Sequence, residues 1–223
     1  MHIGTFEAAY DAVQVALTAS DILMEDDNTH VLALCRPPGH HAEADLCGGY
    51  CFFNNAAIAA KYLIDDLNVG KVAILDIDYH HGNGTQNMFY NVSNPFYCSI
   101  HGDPDYPYYW GSADEDGEGE GKGFTKNIPL PKGTGDEVYL KNLAEALHII
   151  KNYNPKVVVV SVGLDTFELD PIGCFKLTSN CYREIGDLIK KFFFGEVKLL
   201  FVLEGGYAID QIGLNLMNIF ESF

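Results

Sequence analysis

Histidine and aspartate side chains are grouped where apolar runs of this 223-residue sequence end. His40 and His41 form a pair after a Pro-Pro-Gly turn, Asp78 and His80 follow the apolar run 71–77, and Asp165 follows the run 156–162. Imidazoles and carboxylates are the side chains that hold divalent metals and carry out general acid-base catalysis. The residue types therefore point to a metal-dependent or acid-base reaction.

Asp78, His80 and Asp165 form the candidate metal site. In an extended segment, residues i and i+2 point to the same side, so Asp76, Asp78 and His80 are expected to share one face. With Asp165, this gives three protein ligands and an open position, as in catalytic sites, whereas structural zinc sites are closed and usually rich in cysteine. A lone Asp-x-His is more often a turn that caps a helix, but the third carboxylate and the histidine pair favour a metal. Two carboxylates and one imidazole suit Zn2+, and also Fe2+ or Co2+.

The histidine pair is the candidate acid-base machinery. The preceding Pro-Pro-Gly turn restricts the backbone, so both rings should be held in place. A neutral imidazole has a pKa close to working pH and suits a general base. Each ring needs an orienting partner on its other nitrogen, and Asp76 and Asn83 are the candidates. The alternative for His40 and His41 is a pair of surface loop histidines.

Tyr207 ends the segment Glu204-Gly205-Gly206-Tyr207, which follows another apolar run. Two glycines allow a sharp turn, which would present the Tyr207 hydroxyl over the site. A phenol can donate a hydrogen bond to a developing oxyanion. Taken alone, Tyr207 would be interpreted as a buried tyrosine in a glycine turn.

Alternating apolar runs and helical patterns predict how these side chains are positioned. The helices are expected at 6–20, 54–67, 136–152, 178–193 and 208–220, and the strands at 30–35, 71–77, 95–100, 156–162 and 198–203. Continuous apolar strands between helices predict an α/β fold, a three-layer α/β/α domain with a mainly parallel sheet, in one domain over 1–223. A polar turn is expected at 24–28 and a long loop at 102–123. Ligands bind at the carboxyl ends of such strands, where the candidate residues lie.

Composition restricts the partners. Asp and Glu total 31 against 14 Lys and Arg, for a formal charge of -17. Such a chain should repel nucleic acids and anionic membranes and attract a small cationic substrate. No apolar run reaches the roughly 20 residues that span a bilayer. Six scattered cysteines indicate reduced thiols and a cytoplasmic protein.

Five motifs together resemble the zinc-dependent histone deacetylase superfamily, which has the arginase-deacetylase fold. They are RPPGHH (36–41), GGYCFFNN (48–55), LDIDYHHGNGTQ (75–86), SVGLDTFELDP (161–171) and EGGY (204–207). SIHGDP (99–104) and DTFELDPIGCFKLTS (165–179) are similar to its bacterial acetylpolyamine amidohydrolase branch. The resemblance covers nearly the whole chain. It implies that Asp78, His80 and Asp165 are the metal ligands, usually of Zn2+.

The same resemblance implies the other roles. His41 would be the principal general base and acid, oriented by Asn83, while Asp76 would orient His40. The remaining matches are Tyr207 for oxyanion stabilisation, Tyr50 and Tyr106 for the substrate tunnel, Gly49 for a carbonyl that meets the substrate amide, and Asp76, Asp78, His80 and Ser99 for a monovalent cation, K+ or Na+.

The resemblance implies a hydrolase that removes acetyl groups from acetylated polyamines or similar cationic amines. The alternatives are an acetyl-lysine protein deacetylase and an inactive binding or scaffold homologue. Family members carry an additional N-terminal segment before the helix that begins near Phe6, so an N-terminally truncated domain is expected. A homodimer is compatible with the family, although these residues do not include the dimer-forming insertion.

Overall fold

The structure, a computed structural model, describes residues 2–26 and 30–223. Residues 27–28 of the polar turn expected at 24–28 lie outside the described residues. Within the described part, no helix is both long and apolar enough to cross a membrane.

Six parallel strands form one sheet in the order β1-β6-β5-β2-β3-β4. The strands are β1 (Val31–Ala33), β2 (Val72–Asp76), β3 (Phe96–Asp103), β4 (Thr125–Pro131), β5 (Val157–Val162) and β6 (Lys198–Leu203). Because every pair is parallel, the carboxyl ends of β6, β5 and β2 lie side by side on the same side of the sheet. The segments that follow these three strands carry Asp78, His80, Asp165 and Tyr207, and the segment that follows the neighbouring β1 carries His40 and His41.

Helices cover both faces of the sheet, which confirms the three-layer α/β/α architecture. They are α1 (Thr5–Glu25), α2 (Asn55–Asp65), α3 (Asn83–Phe89), α4 (Asp136–Tyr153), α5 (Ser179–Phe193) and α6 (Ile209–Phe220). Successive side chains of β5 point to opposite faces of the sheet, and each face packs into its own hydrophobic core. Val158, Val160 and Val162 pack on the side of α4 and α5, whereas Val157 and Val159 pack on the side of α1 and α2.

Side-chain caps fix the start of two helices. Asn54 Oδ1 accepts the N–H of Ala57 at 3.0 Å at the start of α2. Thr178 Oγ1 accepts the N–H of Cys181 at 3.3 Å at the start of α5, so the expected Thr178 cap is present. Such caps satisfy donors that a helix leaves free in its first turn.

The strand β4 and the helix α3 are not predicted by the sequence pattern. β4 contains Pro129 and Pro131, which lack an N–H and argue against a strand. The strand forms because it lies at the edge of the sheet and pairs only with β3, where proline is tolerated. The short helix α3 begins inside the glycine-rich segment after His81, which has little helical propensity.

Candidate active site

The proposed metal ligands lie together in the structure. His80 Nδ1 is 2.9 Å from Asp165 Oδ2 and 3.3 Å from Asp78 Oδ1. One potential ligand atom from each residue lies within 4.8 Å of the other two, and all three residues are buried. A second carboxylate oxygen, Asp165 Oδ1, accepts the N–H of Tyr79 at 2.9 Å, which fixes the orientation of that carboxylate.

The geometry that brings these ligands together differs from the one predicted. β2 ends at Asp76, so Asp78 and His80 do not continue an extended strand. Instead, Asp76 Oδ1 accepts the N–H of Asp78 at 3.2 Å and Asp78 Oδ1 accepts the N–H of His80 at 2.9 Å. These local side-chain bonds form a turn beyond the strand. The residues predicted to share a strand face therefore converge through a turn.

The electrostatics of the three ligands fit a cation. Burial and the charge of Asp78 raise the pKa of Asp165. Burial alone would lower the pKa of His80, but the two adjacent carboxylates raise it to about 11. The raised pKa of His80 thus shows that the two buried carboxylates favour a positive charge beside them. A divalent cation would supply that positive charge more directly, so these residues fit a metal site.

His40 lies between two carboxylates. Its Nδ1 is 3.1 Å from Asp76 Oδ2, and its Nε2 is 3.7 Å from Asp78 Oδ1. Tyr97 on β3 donates its hydroxyl to the same Asp76 oxygen at 3.2 Å. A side chain at Gly82 would begin 2.3 Å from that oxygen, so only glycine fits between the turn and Asp76.

His41 is paired with a neutral partner. Its Nδ1 donates to Asn83 Oδ1 at 2.8 Å, and Asn83 is the first residue of α3. The Nδ2 of Asn83 donates in turn to Glu43 Oε1 at 2.8 Å. Sequence reasoning missed Glu43, because a half-buried loop residue leaves no periodic signal.

The pKa values of the two histidines are shifted in opposite directions. For His40, burial favours the neutral ring, but Asp78 and Asp76 raise the pKa to about 10. For His41, burial and the adjacent His40 hold the pKa well below its usual range. The surroundings therefore favour the cationic form of His40 and the neutral form of His41.

Glu204 joins the last strand to the histidine turn. It follows β6 directly, and its Oε2 accepts the N–H groups of Gly39 and His40 at 2.7 and 3.1 Å. Burial raises the pKa of Glu204 to about 7, although His40 and the Gly39 amide favour its ionised form. The motif containing Glu204 was recognised in the sequence, but this contact was not anticipated. The cluster of Glu204, His40 and Cys51 resembles a metal site in its residue types. Its Glu204 Oε2 is used by the two amide donors, whereas Oε1 is buried without a hydrogen-bond partner among the described residues.

Tyr207 is held near the proposed metal ligands by its backbone. Asp170 Oδ2 accepts the N–H groups of Tyr207 and Ala208 at 2.7 and 3.2 Å. Gly205 donates its N–H to Asp78 Oδ2 at 2.9 Å, so the same turn contacts a proposed metal ligand. Burial and the charges of Asp78 and Asp165 raise the pKa of Tyr207, which keeps the phenol protonated.

Aromatic residues border the site. The Tyr106 ring lies 4.9 Å from the His41 ring in an edge-on contact, and the Tyr50 ring lies 5.9 Å from Tyr207. Gly49 has φ of +52°, and a side chain there would begin 2.2 Å from the His41 ring. Glycine is therefore required at this position, and the Gly49 carbonyl accepts the Cys51 thiol at 3.4 Å.

The long loop expected at 102–123 is rich in acidic residues, and some of its own carboxylates anchor it. Asp105 Oδ2 accepts the Tyr79 hydroxyl at 2.8 Å and lies 2.9 Å from Lys132 Nζ. Glu115 Oε2 accepts the side-chain amide of Gln86 at 2.6 Å and the Gly111 N–H at 2.9 Å. These two carboxylates hold the loop against the body of the protein. The acidic residues that remain exposed are Asp103, Asp114, Glu118 and Glu120.

Serines flank Asp76 in the sheet. Asp76 is in register with Ser99 on β3 and with Ser161 on β5. Ser99 Oγ is hydrogen-bonded to His101 Nδ1 at 2.9 Å, while Ser161 Oγ is buried without a hydrogen-bond partner among the described residues. An unpartnered buried hydroxyl beside a carboxylate fits the coordination of a hard cation, which prefers oxygen ligands.

Proteins similar to this chain in sequence and in structure include acetylpolyamine amidohydrolases and a histone deacetylase. Acetylpolyamine amidohydrolase 1 of Pseudomonas aeruginosa is 46% identical over 222 residues, which is 99% of this chain and 63% of that protein. Histone deacetylase 8 of Arabidopsis thaliana is 38% identical over 217 residues, 94% of this chain and 57% of that protein. The crystal structure of an acetylpolyamine aminohydrolase from Burkholderia pseudomallei matches with a TM-score of 0.91 at 38% identity, covering 96% of this chain and 62% of that one.

The chain therefore spans somewhat less than two thirds of the length of these relatives. The match nevertheless extends along the whole chain, because residues 1–223 match the histone deacetylase domain family. The parallel six-stranded sheet and the deacetylase structural neighbours also confirm the arginase-deacetylase fold. The protein belongs to the histone deacetylase domain family.

Proposed function

We propose that this protein is a metal-dependent amidohydrolase that removes acetyl groups from acetylated polyamines or similar cationic amines. The observation that carries the proposal is the convergence of the three candidate ligands, Asp78, His80 and Asp165, with His41 and its partner Asn83. Its similarity to proteins named acetylpolyamine amidohydrolase supports the choice of substrate.

Asp78, His80 and Asp165 would hold the metal, and Zn2+ is the proposed ion. When bound, a divalent metal polarises a carbonyl and makes water more acidic. His41 accepts the proton of the attacking water at Nε2, since its Nδ1 is already committed to Asn83. A protonated histidine then donates a proton to the nitrogen of the leaving amine. The Tyr207 hydroxyl donates a hydrogen bond to the developing oxyanion.

The remaining groups bind and orient the substrate. Tyr50 and Tyr106 form the walls of the tunnel, and the Gly49 carbonyl accepts the substrate amide N–H. A monovalent cation, K+ or Na+, is proposed near Asp76, Asp78, His80 and Ser99. The six cysteines form no disulfide, which supports a cytoplasmic location.

A protein deacetylase acting on acetyl-lysine is the second candidate. It would use the same chemistry, and the similarity to a plant histone deacetylase supports it. A binding or scaffold homologue without activity is the third candidate.

One experiment separates the three candidates. Metal content is measured first, and hydrolysis of N-acetylputrescine is then compared with that of an acetyl-lysine peptide. A bound equivalent of metal with a higher kcat/KM for N-acetylputrescine is the expected result. Preference for the peptide would favour the protein deacetylase. A fully metallated protein that hydrolyses neither substrate would leave the binding homologue.

A further inference from the structure

Asn83 has two chemically different ends, and His41 contacts only one of them. Its Oδ1 faces His41 Nδ1 at 2.8 Å, whereas its Nδ2 faces Glu43 Oε1 at 2.8 Å. If the amide rotated by half a turn, Nδ2 would face His41 and Oδ1 would face the carboxylate. The first orientation requires a proton on His41 Nδ1, and the second requires the proton on Nε2.

Glu43 distinguishes these two orientations. An ionised carboxylate can only accept hydrogen bonds, so it attracts the Nδ2 end of Asn83 and repels the Oδ1 end. A hydrogen bond to a charged group is stronger than one between neutral groups. The only other acceptor that the structure shows for Nδ2, among the described residues, is the His41 carbonyl at 3.5 Å, which is too long to hold the amide.

We infer that Glu43 is a positioning residue that fixes the tautomer of the general base. By holding Asn83 Nδ2, it turns Oδ1 toward His41, and the proton is thereby kept on His41 Nδ1. The lone pair of Nε2 is left free to accept a proton. The inference deepens the proposed function, because it concerns the base of the same site.

The tautomer can be measured without any substrate. In protein with 15N-labelled histidine, the His41 ring of the wild type should show a protonated Nδ1 and an unprotonated Nε2. Glu43→Ala should increase the fraction with Nε2 protonated. Glu43→Gln should do the same to a smaller extent, because its amide can either accept from Asn83 or donate to it. The matched control is Asp45→Asn, which changes an exposed acid two residues along the same loop.

Kinetics provide a second measurement. Glu43→Gln should lower kcat by a few-fold and Glu43→Ala by up to about tenfold, since each leaves part of the population in the wrong tautomer. KM and metal content should stay unchanged. Asp45→Asn should not alter kcat.

The sharpest test reverses the sign of the Glu43 effect. In Asn83→Asp, two carboxylates lie side by side and cannot both ionise without a large penalty. The orientation of an aspartate side chain at this position also makes no difference, because both of its oxygens accept hydrogen bonds. Glu43→Gln should therefore raise kcat/KM in the Asn83→Asp background, although it lowers kcat/KM in the wild type.

An unchanged His41 tautomer in Glu43→Ala overturns the inference, as does a fall in kcat/KM when Glu43→Gln is added to Asn83→Asp. Failure of the proposed function is a different result. In that case the wild type hydrolyses no acetylated amine, while the NMR comparison still shows whether Glu43 controls the tautomer.

Discussion

Glu204 and His40 are 164 residues apart in sequence, and the carboxylate of the first accepts the backbone N–H of the second at 3.1 Å. The same oxygen accepts the N–H of Gly39 at 2.7 Å. Both donors belong to the turn that carries the histidine pair. The end of β6 therefore fixes the position of a loop that follows β1, its neighbour in the sheet.

Glu204→Ala should damage both stability and catalysis. It leaves two buried N–H groups without an acceptor, which should lower the free energy of unfolding by about 2–3 kcal/mol. Movement of the histidine turn should lower kcat more than it raises KM. Chemical denaturation and steady-state kinetics measure the two effects. Asp136→Ala is the matched control, because Asp136 accepts the N–H of Thr178 at 2.9 Å, away from the site. Equal losses of kcat in both variants would contradict a specific role for Glu204.

Removing one proposed metal ligand should empty or weaken the proposed metal site. Asp165→Ala deletes a carboxylate that contacts His80 Nδ1 and the Tyr79 N–H, so metal affinity should fall severely. Metal analysis after dialysis measures the loss. Glu168→Gln, which changes an exposed acid three residues away, should retain a full equivalent. Retention of metal at wild-type affinity in Asp165→Ala would exclude this ligand assignment.

His41 should determine how activity depends on pH, and its substitution should lower turnover more than substitution of His40. His41 must be neutral to act as a base, and burial with the adjacent His40 holds its pKa well below the usual 6.5. Activity should therefore be retained as pH falls below 6.5 and be lost only as pH approaches the lowered pKa. His41→Ala should lower turnover by about a hundredfold to ten-thousandfold with metal still bound.

His40 provides the comparison for this prediction. Its pKa is raised to about 10, mainly because Asp78 and Asp76 outweigh the effect of burial, so it stays cationic throughout this range. His40→Ala should be less harmful than His41→Ala. The profile of kcat/KM against pH and the two turnover rates check both statements. A much larger loss in His40→Ala would mean that the roles are exchanged.

Tyr207→Phe should affect the chemical step and little else. Burial and two nearby carboxylates raise the pKa of the Tyr207 phenol, so it serves as a hydrogen-bond donor rather than as a base. Loss of one oxyanion donor typically costs about a hundredfold to a thousandfold in kcat. KM and metal content should be nearly unchanged. The exposed Tyr109→Phe is a suitable control, and a wild-type kcat in Tyr207→Phe would exclude this role.

The sheet could be predicted because its buried strands are continuous apolar runs. The sequence of strand β5 is Val-Val-Val-Val-Ser-Val, and such a continuous apolar run is typical of a parallel strand that is buried on both faces. Strand β4 could not be predicted, because its prolines are acceptable only at a sheet edge, and the edge is a property of the assembled sheet.

The candidate site also contains residues that could be predicted from the sequence and residues that could not. Asp78, His80 and Asp165 could be chosen from residue type and from their place after strands, although a turn rather than a strand face unites them. Glu43 and Tyr97 could not be chosen. Their roles depend on the direction of one hydrogen bond across 40 and 21 residues respectively, which no local pattern encodes.

Substrate charge should be detectable as a salt dependence. The chain carries a net charge of -17, and Asp114, Glu118 and Glu120 are exposed acids of the loop that follows β3. If this loop attracts cationic substrates, raising the salt concentration should lower kcat/KM for an acetylated polyamine, because exposed charges are screened over about 10 Å at 0.1 M salt. An uncharged acetamide of similar shape should show no such loss.

Charge variants test whether the loop itself is responsible. Changing Asp114, Glu118 and Glu120 to their amides should flatten the salt dependence for the polyamine without altering the rate for the neutral amide. The control removes three exposed acids from α4 and α5, namely Glu137, Glu145 and Glu184, for the same change in net charge. Because attraction weakens with distance, the control should have the smaller effect. Equal flattening in both variants would assign the attraction to net charge. Equal salt sensitivity for charged and neutral substrates would remove the electrostatic support for polyamines.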